Sequence, residues 1–71
     1  MNAREMFEQL GFECDCSQYM IIYEEEKNEN YFAFLLRKKE IESVCTFDFY
    51  KKHEKEINEA IHQQMKELGW V

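Results

Sequence analysis

The sequence predicts an α+β domain: a three-stranded antiparallel meander flanked by an N-terminal and a C-terminal helix, in the order α-β-β-β-α. Three observations predict it. Apolar residues recur at helical spacing at both ends of the chain. Between the ends, aromatic and branched residues crowd into three short runs separated by polar turns. Strands grouped between helices, rather than alternating with them, favour an antiparallel α+β layer over a parallel α/β sheet. The 71 residues form one domain, spanning 1–71.

In the opening NAREMFEQLGF, Asn2 suits an N-cap, and Glu5 lies three residues later, where its side chain reaches back. Ala3, Met6, Phe7 and Leu10 form one apolar stripe, and Gly11 supplies the left-handed position that stops a helix. Residues 19–24 (YMIIYE) and 31–38 (YFAFLLRK) are strand candidates joined by a loop near Glu25 to Asn30. A third candidate, residues 41–50, alternates, with Ile41, Cys45, Phe47 and Phe49 to one side and Glu42, Thr46, Asp48 and Tyr50 to the other. The last helix covers residues 54–68, with Ile57, Ala60, Ile61, Met65 and Leu68 on one face. It ends in ELGW as the first ends in QLGF, which predicts one shared cap that sets Phe12 against Phe7 and Trp70 against Met65.

A domain of this size is stabilised by little buried area, and the six Phe, four Tyr and one Trp supply what core there is. No apolar run approaches the roughly 20 residues that span a bilayer, so no membrane is expected among the partners. The charged N-terminus does not read as a secretory signal. The odd count of cysteines (Cys14, Cys16, Cys45) fits reduced thiols, and the expected location is cytoplasmic. The net charge of -6 argues against nucleic-acid binding. Arg37, Lys38 and Lys39 with Lys51 and Lys52 form a basic cluster, but Glu40, Glu42 and Asp48 sit among them.

The chemistry-bearing residues carry no recognisable site. Cys14 and Cys16 are closer in sequence than the about two to four intervening residues of a zinc knuckle, and no second pair follows. For a Cys-His nucleophile pair with His53 or His62, nothing marks an oriented base or an oxyanion hole. No cofactor, metal or enzyme activity is expected.

Charge is distributed unevenly. Residues 13–30 hold Glu13, Asp15, Glu24, Glu25, Glu26 and Glu29 against Lys27 alone, a net -5. The run YEEEKNENY places Glu24, Glu25, Glu26 and Glu29 between Tyr23 and Tyr31 at a hairpin tip. A tip is polar for ordinary solvation reasons, yet so concentrated a patch also speeds encounter with a basic protein. These six residues are the candidate protein-binding site. The second strand candidate adds another signal. Tyr31, Ala33 and Leu35 face one way and Phe32, Phe34 and Leu36 the other, so both faces are apolar. Either the helices divide between the two faces, or one face is left for another chain, most simply a second copy in a homodimer.

The segments NAREMFEQLGF, YMIIYEEE and EINEAIHQQMKELGW resemble small acidic proteins encoded by phages and prophages of Gram-positive bacteria. The resemblance implies a phage-related origin and an intracellular setting in the host, and carries no catalytic residue. Some phage proteins of this size, acidity and element order are similar to anti-CRISPR inhibitors, which present carboxylates to a nuclease's DNA-binding surface. The expected role is therefore an interaction protein that binds a basic protein surface, as a partner-binding or inhibitory module. The alternative is a self-associating accessory protein with no inhibitory role.

Overall fold

The structure, a computed structural model describing residues Met1–Val71, has the elements α1 (Ala3–Gln9), β1 (Glu13–Cys16), β2 (Met20–Glu25), a 3₁₀ turn (Glu26–Asn28), β3 (Asn30–Leu35), β4 (Glu40–Val44) and α2 (Phe47–Glu67). The α+β class is as expected, but the antiparallel meander has four strands in the order β1-β2-β3-β4 rather than three. The added strand, β1, is Glu-Cys-Asp-Cys, too short and acidic to stand out. It forms because Cys14 and Cys16 pair opposite Tyr23 and Ile21 while Glu13 and Asp15 point away. Ser17 turns the chain back, its Oγ accepting the N–H groups of Tyr19 and Met20 at 3.2 and 3.3 Å.

The expected third strand is also corrected. It stops at Val44, and Phe47 begins a helix that runs to Glu67 with a kink at His53 (φ -122°, ψ 23°). Thr46 caps it by accepting the Phe49 N–H at 3.4 Å, and Asp48 lies in its first turn, where the helix dipole favours a carboxylate. The alternation of Cys45, Phe47 and Phe49 gave way to helical spacing, in which Phe49, His53 and Ile57 share a side. Phe47 is left 73% exposed.

Both helix ends close as the repeated Leu-Gly-aromatic motif predicts. Phe12 and Trp70 donate their N–H groups to the carbonyls of Phe7 (3.1 Å) and Met65 (2.8 Å), and Gly11 and Gly69 sit at φ 94° and 75°. The Phe12 ring meets the Phe7 ring edge-on at 5.7 Å. At the start of α1, Asn2 Oδ1 accepts from Glu5 N–H at 2.8 Å and Glu5 accepts from Asn2 N–H at 3.0 Å. Glu67 of α2 accepts the Ala3 N–H at 2.8 Å, tying the C-terminal end of one helix to the N-terminal end of the other.

The core joins Phe7 and Phe12 to Tyr23, Phe32 and Phe34 of the sheet and to Ile57 and Ala60 of α2. Phe7 is its hub, stacked on Tyr23 at 4.0 Å and near the rings of Phe32 and Phe34. Both helices therefore cover the same side of the sheet. The opposite side has no covering layer.

Candidate protein-interaction site

Strand pairing fixes what the uncovered face displays. Its rows across the sheet are Asp15–Ile22–Ala33–Glu42, Glu13–Glu24–Tyr31–Val44, and Met20–Leu35–Glu40. Apolar side chains occupy most of the two central strands. Carboxylates line both outer strands, Glu13 and Asp15 on β1 and Glu40 and Glu42 on β4, and Glu24 adds a fifth on β2. Ala33, at the centre, is 3% exposed because its methyl lies below the longer side chains around it. Two ion pairs occur in the molecule, Arg4–Glu8 and Lys51–Glu54, both on helix surfaces. No carboxylate of the sheet forms an ion pair with a cation of this chain. Glu13 and Glu24 lie directly opposite each other, a like-charge pairing that costs stability.

At the acidic end, the 3₁₀ turn carries Glu26 and ends at Glu29, which adopts the left-handed region at φ 57°. Glu24, Glu26 and Glu29 line an open hollow together with Ile22, Glu25, Asn30 and Tyr31. Of the six residues singled out in the sequence, the structure brings five to this hollow: Glu24, Glu25, Glu26, Glu29 and Tyr31. At the other end of the strands, Arg37, Lys38 and Lys39 occupy the exposed β3–β4 turn, with the Arg37 guanidinium 5.9 Å from the centre of the Tyr19 ring.

Tyr23 and Glu25 are far more enclosed than the other four. Both share the inward parity of Ile21, although Glu25 still reaches the hollow. Tyr23 is 2% exposed and donates its hydroxyl hydrogen to Gln64 Oε1 in α2. Burial, with the Cys14 and Glu67 charges, holds its phenol well above the usual tyrosine range. Glu25 is 7% exposed. Its carboxylate accepts from Asn28 N–H at 3.0 Å, Asn28 Nδ2 at 3.3 Å and Asn30 Nδ2 at 3.4 Å. Asn30 Oδ1 in turn accepts the Thr46 N–H at 2.9 Å. Glu25 thus holds the hairpin tip to the N-cap of α2, a structural task.

The remaining chemistry is dispersed. Burial pushes the Cys14 thiol up, and it pushes the Cys45 thiol up with help from the Glu25 charge, while Cys16 lies exposed on the edge strand. The His53 ring lies 4.7 Å from the Phe49 ring, at the kink. No three His, Cys, Asp or Glu side chains gather where they would hold a metal ion. No helix is long and apolar enough to cross a membrane.

The residues that the sequence reading left out of the site are Met20, Ile22, Ala33 and Leu35 at the centre of the face and Glu40 and Glu42 at its far edge. Period-two alternation in Glu40-Ile41-Glu42 was the available signal, masked by the lysines next to it. The fold and this face define a small α+β domain with one helix-covered and one uncovered sheet surface. Comparison with protein-family models, curated proteins and solved structures found no match.

Proposed function

We infer that the protein is a non-enzymatic interaction module whose uncovered sheet face and acidic hairpin end bind a basic surface of another protein. One observation carries this reading: an apolar sheet surface bordered by carboxylates that form no ion pair within the chain. Carboxylates in that state, two of them directly opposed, weaken the isolated fold and gain their partners when positive charge arrives from outside. Glu24, Glu26 and Glu29 supply the charge, and Tyr31 with Ile22 supplies apolar contact. Where the partner's basic surface is one that holds nucleic acid, covering it inhibits that partner, in keeping with the phage-protein resemblance and its intracellular setting.

A second copy of the chain is a poorer occupant. About either twofold axis in the sheet plane, a face-to-face pair lays one acid-lined outer strand over another. The test of the proposal is affinity for a partner recovered from the host. Reversal of Glu24, Glu26 and Glu29 to Lys is expected to weaken binding at least tenfold and to flatten its dependence on salt. Unchanged affinity and salt slope would remove the acidic end from the interface.

A further inference from the structure

We propose that the occupant of the uncovered face is a basic amphipathic helix of the partner, lying along β2 and β3. The inference rests on reading this face as a docking surface for a basic protein, and it adds the shape and orientation of what docks. Three strand spacings of ~4.8 Å put the outer strands roughly 14 Å apart. An α-helix with its side chains is about 10–12 Å across, so it fits between the carboxylate rails of β1 and β4.

The face has the apolar centre that such a helix needs. Met20, Ile22, Leu35 and Tyr31 stand around Ala33, whose single methyl leaves the middle of the surface low. An apolar stripe on the helix would seat there. Lysines or arginines on both flanks of the stripe would extend their stems over the outer strands and reach Glu13 and Asp15 on one side and Glu40 and Glu42 on the other. An extended segment would use a sheet edge instead, because its backbone groups find ladder partners only there. Helix-on-sheet layering already operates on the covered side of this domain, so a docked helix would complete a three-layer arrangement.

Charge along the strands sets the direction. The end with Glu24, Glu26 and Glu29 is acidic, and the opposite turn carries Arg37, Lys38 and Lys39. The helix dipole favours anions at a helix N-terminus and cations at its C-terminus. The docked helix therefore points its N-terminus toward the hairpin tip.

The probe is a synthetic helix of about 15 residues, roughly four turns, with a leucine stripe flanked by lysines. Its controls are a scrambled peptide of the same composition and a version with glutamate flanks. The lysine-flanked helix is expected to bind at least tenfold more tightly than the scramble, moving the amide resonances of Ile22, Ala33 and Leu35. The glutamate version is expected not to bind, and its binding equally well would overturn the charge argument. Ala33→Tyr fills the centre of the face without touching a charge. It is expected to lower affinity at least tenfold while circular dichroism confirms an intact fold. Equal binding of the scramble, or no effect of Ala33→Tyr, would overturn the helix and leave the acidic docking surface standing. No binding by any lysine peptide would overturn both. A nitroxide at the peptide N-terminus is expected to broaden Glu26 and Glu29, and broadening of Arg37 to Lys39 instead would overturn the direction.

Discussion

Strand geometry sends Glu24 out and Glu25 in, so adjacent identical residues have different work. Glu24 is exposed on the uncovered face, whereas Glu25 is enclosed and accepts three hydrogen bonds from Asn28 and Asn30. Removing an enclosed acceptor leaves its donors without partners, at a cost of about 1–3 kcal/mol. Denaturant unfolding should therefore show that loss for Glu25→Ala, while Glu24→Ala, which leaves no donor unpaired, shows none. Equal effects would mean that the two carboxylates are equally solvated. In the sequence the two glutamates look alike, because composition does not record parity until the pairing register is known. The same blindness placed Tyr23 beside Tyr31, although one is core and the other lines the hollow. Burial of neutral acids has its own consequence for pH. Cys14, Cys45 and Tyr23 hold their protons more tightly folded than unfolded, where they ionise near 9.0, 9.0 and 10.0. Their contribution is complete below about pH 9 and is lost as pH rises, since the unfolded chain releases these protons first. Stability should fall from about pH 9 and more steeply above 10, and Tyr23→Phe should flatten the upper part. A profile level to pH 11 would show these groups to be solvated.

At the scale of elements, what could be read from the sequence was what local chemistry decides. Asn2 and Glu5 predicted the start of α1, and QLGF and ELGW predicted two matching stops, because caps depend on a few adjacent residues. What could not be read depended on distant partners. Glu13–Cys16 is a strand only because β2 lies beside it. The start of α2 looked like a strand because Phe47 and Phe49 alternate, and Thr46 with Asp48 outweighed that pattern. The His53 kink explains why the periodic signal began near residue 54. The Gly11 cap gives the sharpest test at this scale. A Cβ there would meet nothing nearer than 4.0 Å, so any penalty for Gly11→Ala comes from the backbone at φ 94° and not from crowding. About 1 kcal/mol is expected, with an unchanged denaturant slope. A loss of several kcal/mol would mean that Phe12 leaves the core with the cap.

Over the whole molecule, two kinds of surface are separated by one sheet. The covered side holds the aromatic cluster, and the other displays five carboxylates around an apolar centre. With a net charge of -6 and no ion pair on the sheet, the free protein repels itself most strongly across this face. Stability and docking should therefore respond to the same change in opposite directions. Glu24→Gln removes the charge opposite Glu13 and is expected to stabilise the free domain by about 0.2–1 kcal/mol. The same substitution is expected to weaken partner binding. Added salt should act likewise, raising the midpoint of thermal unfolding while lowering affinity, because it screens repulsion within one molecule and attraction between two. If Glu24→Gln and salt instead lower the stability of the free protein, the sheet carboxylates are held by attractions within the chain. A partner of opposite charge would then have nothing to relieve.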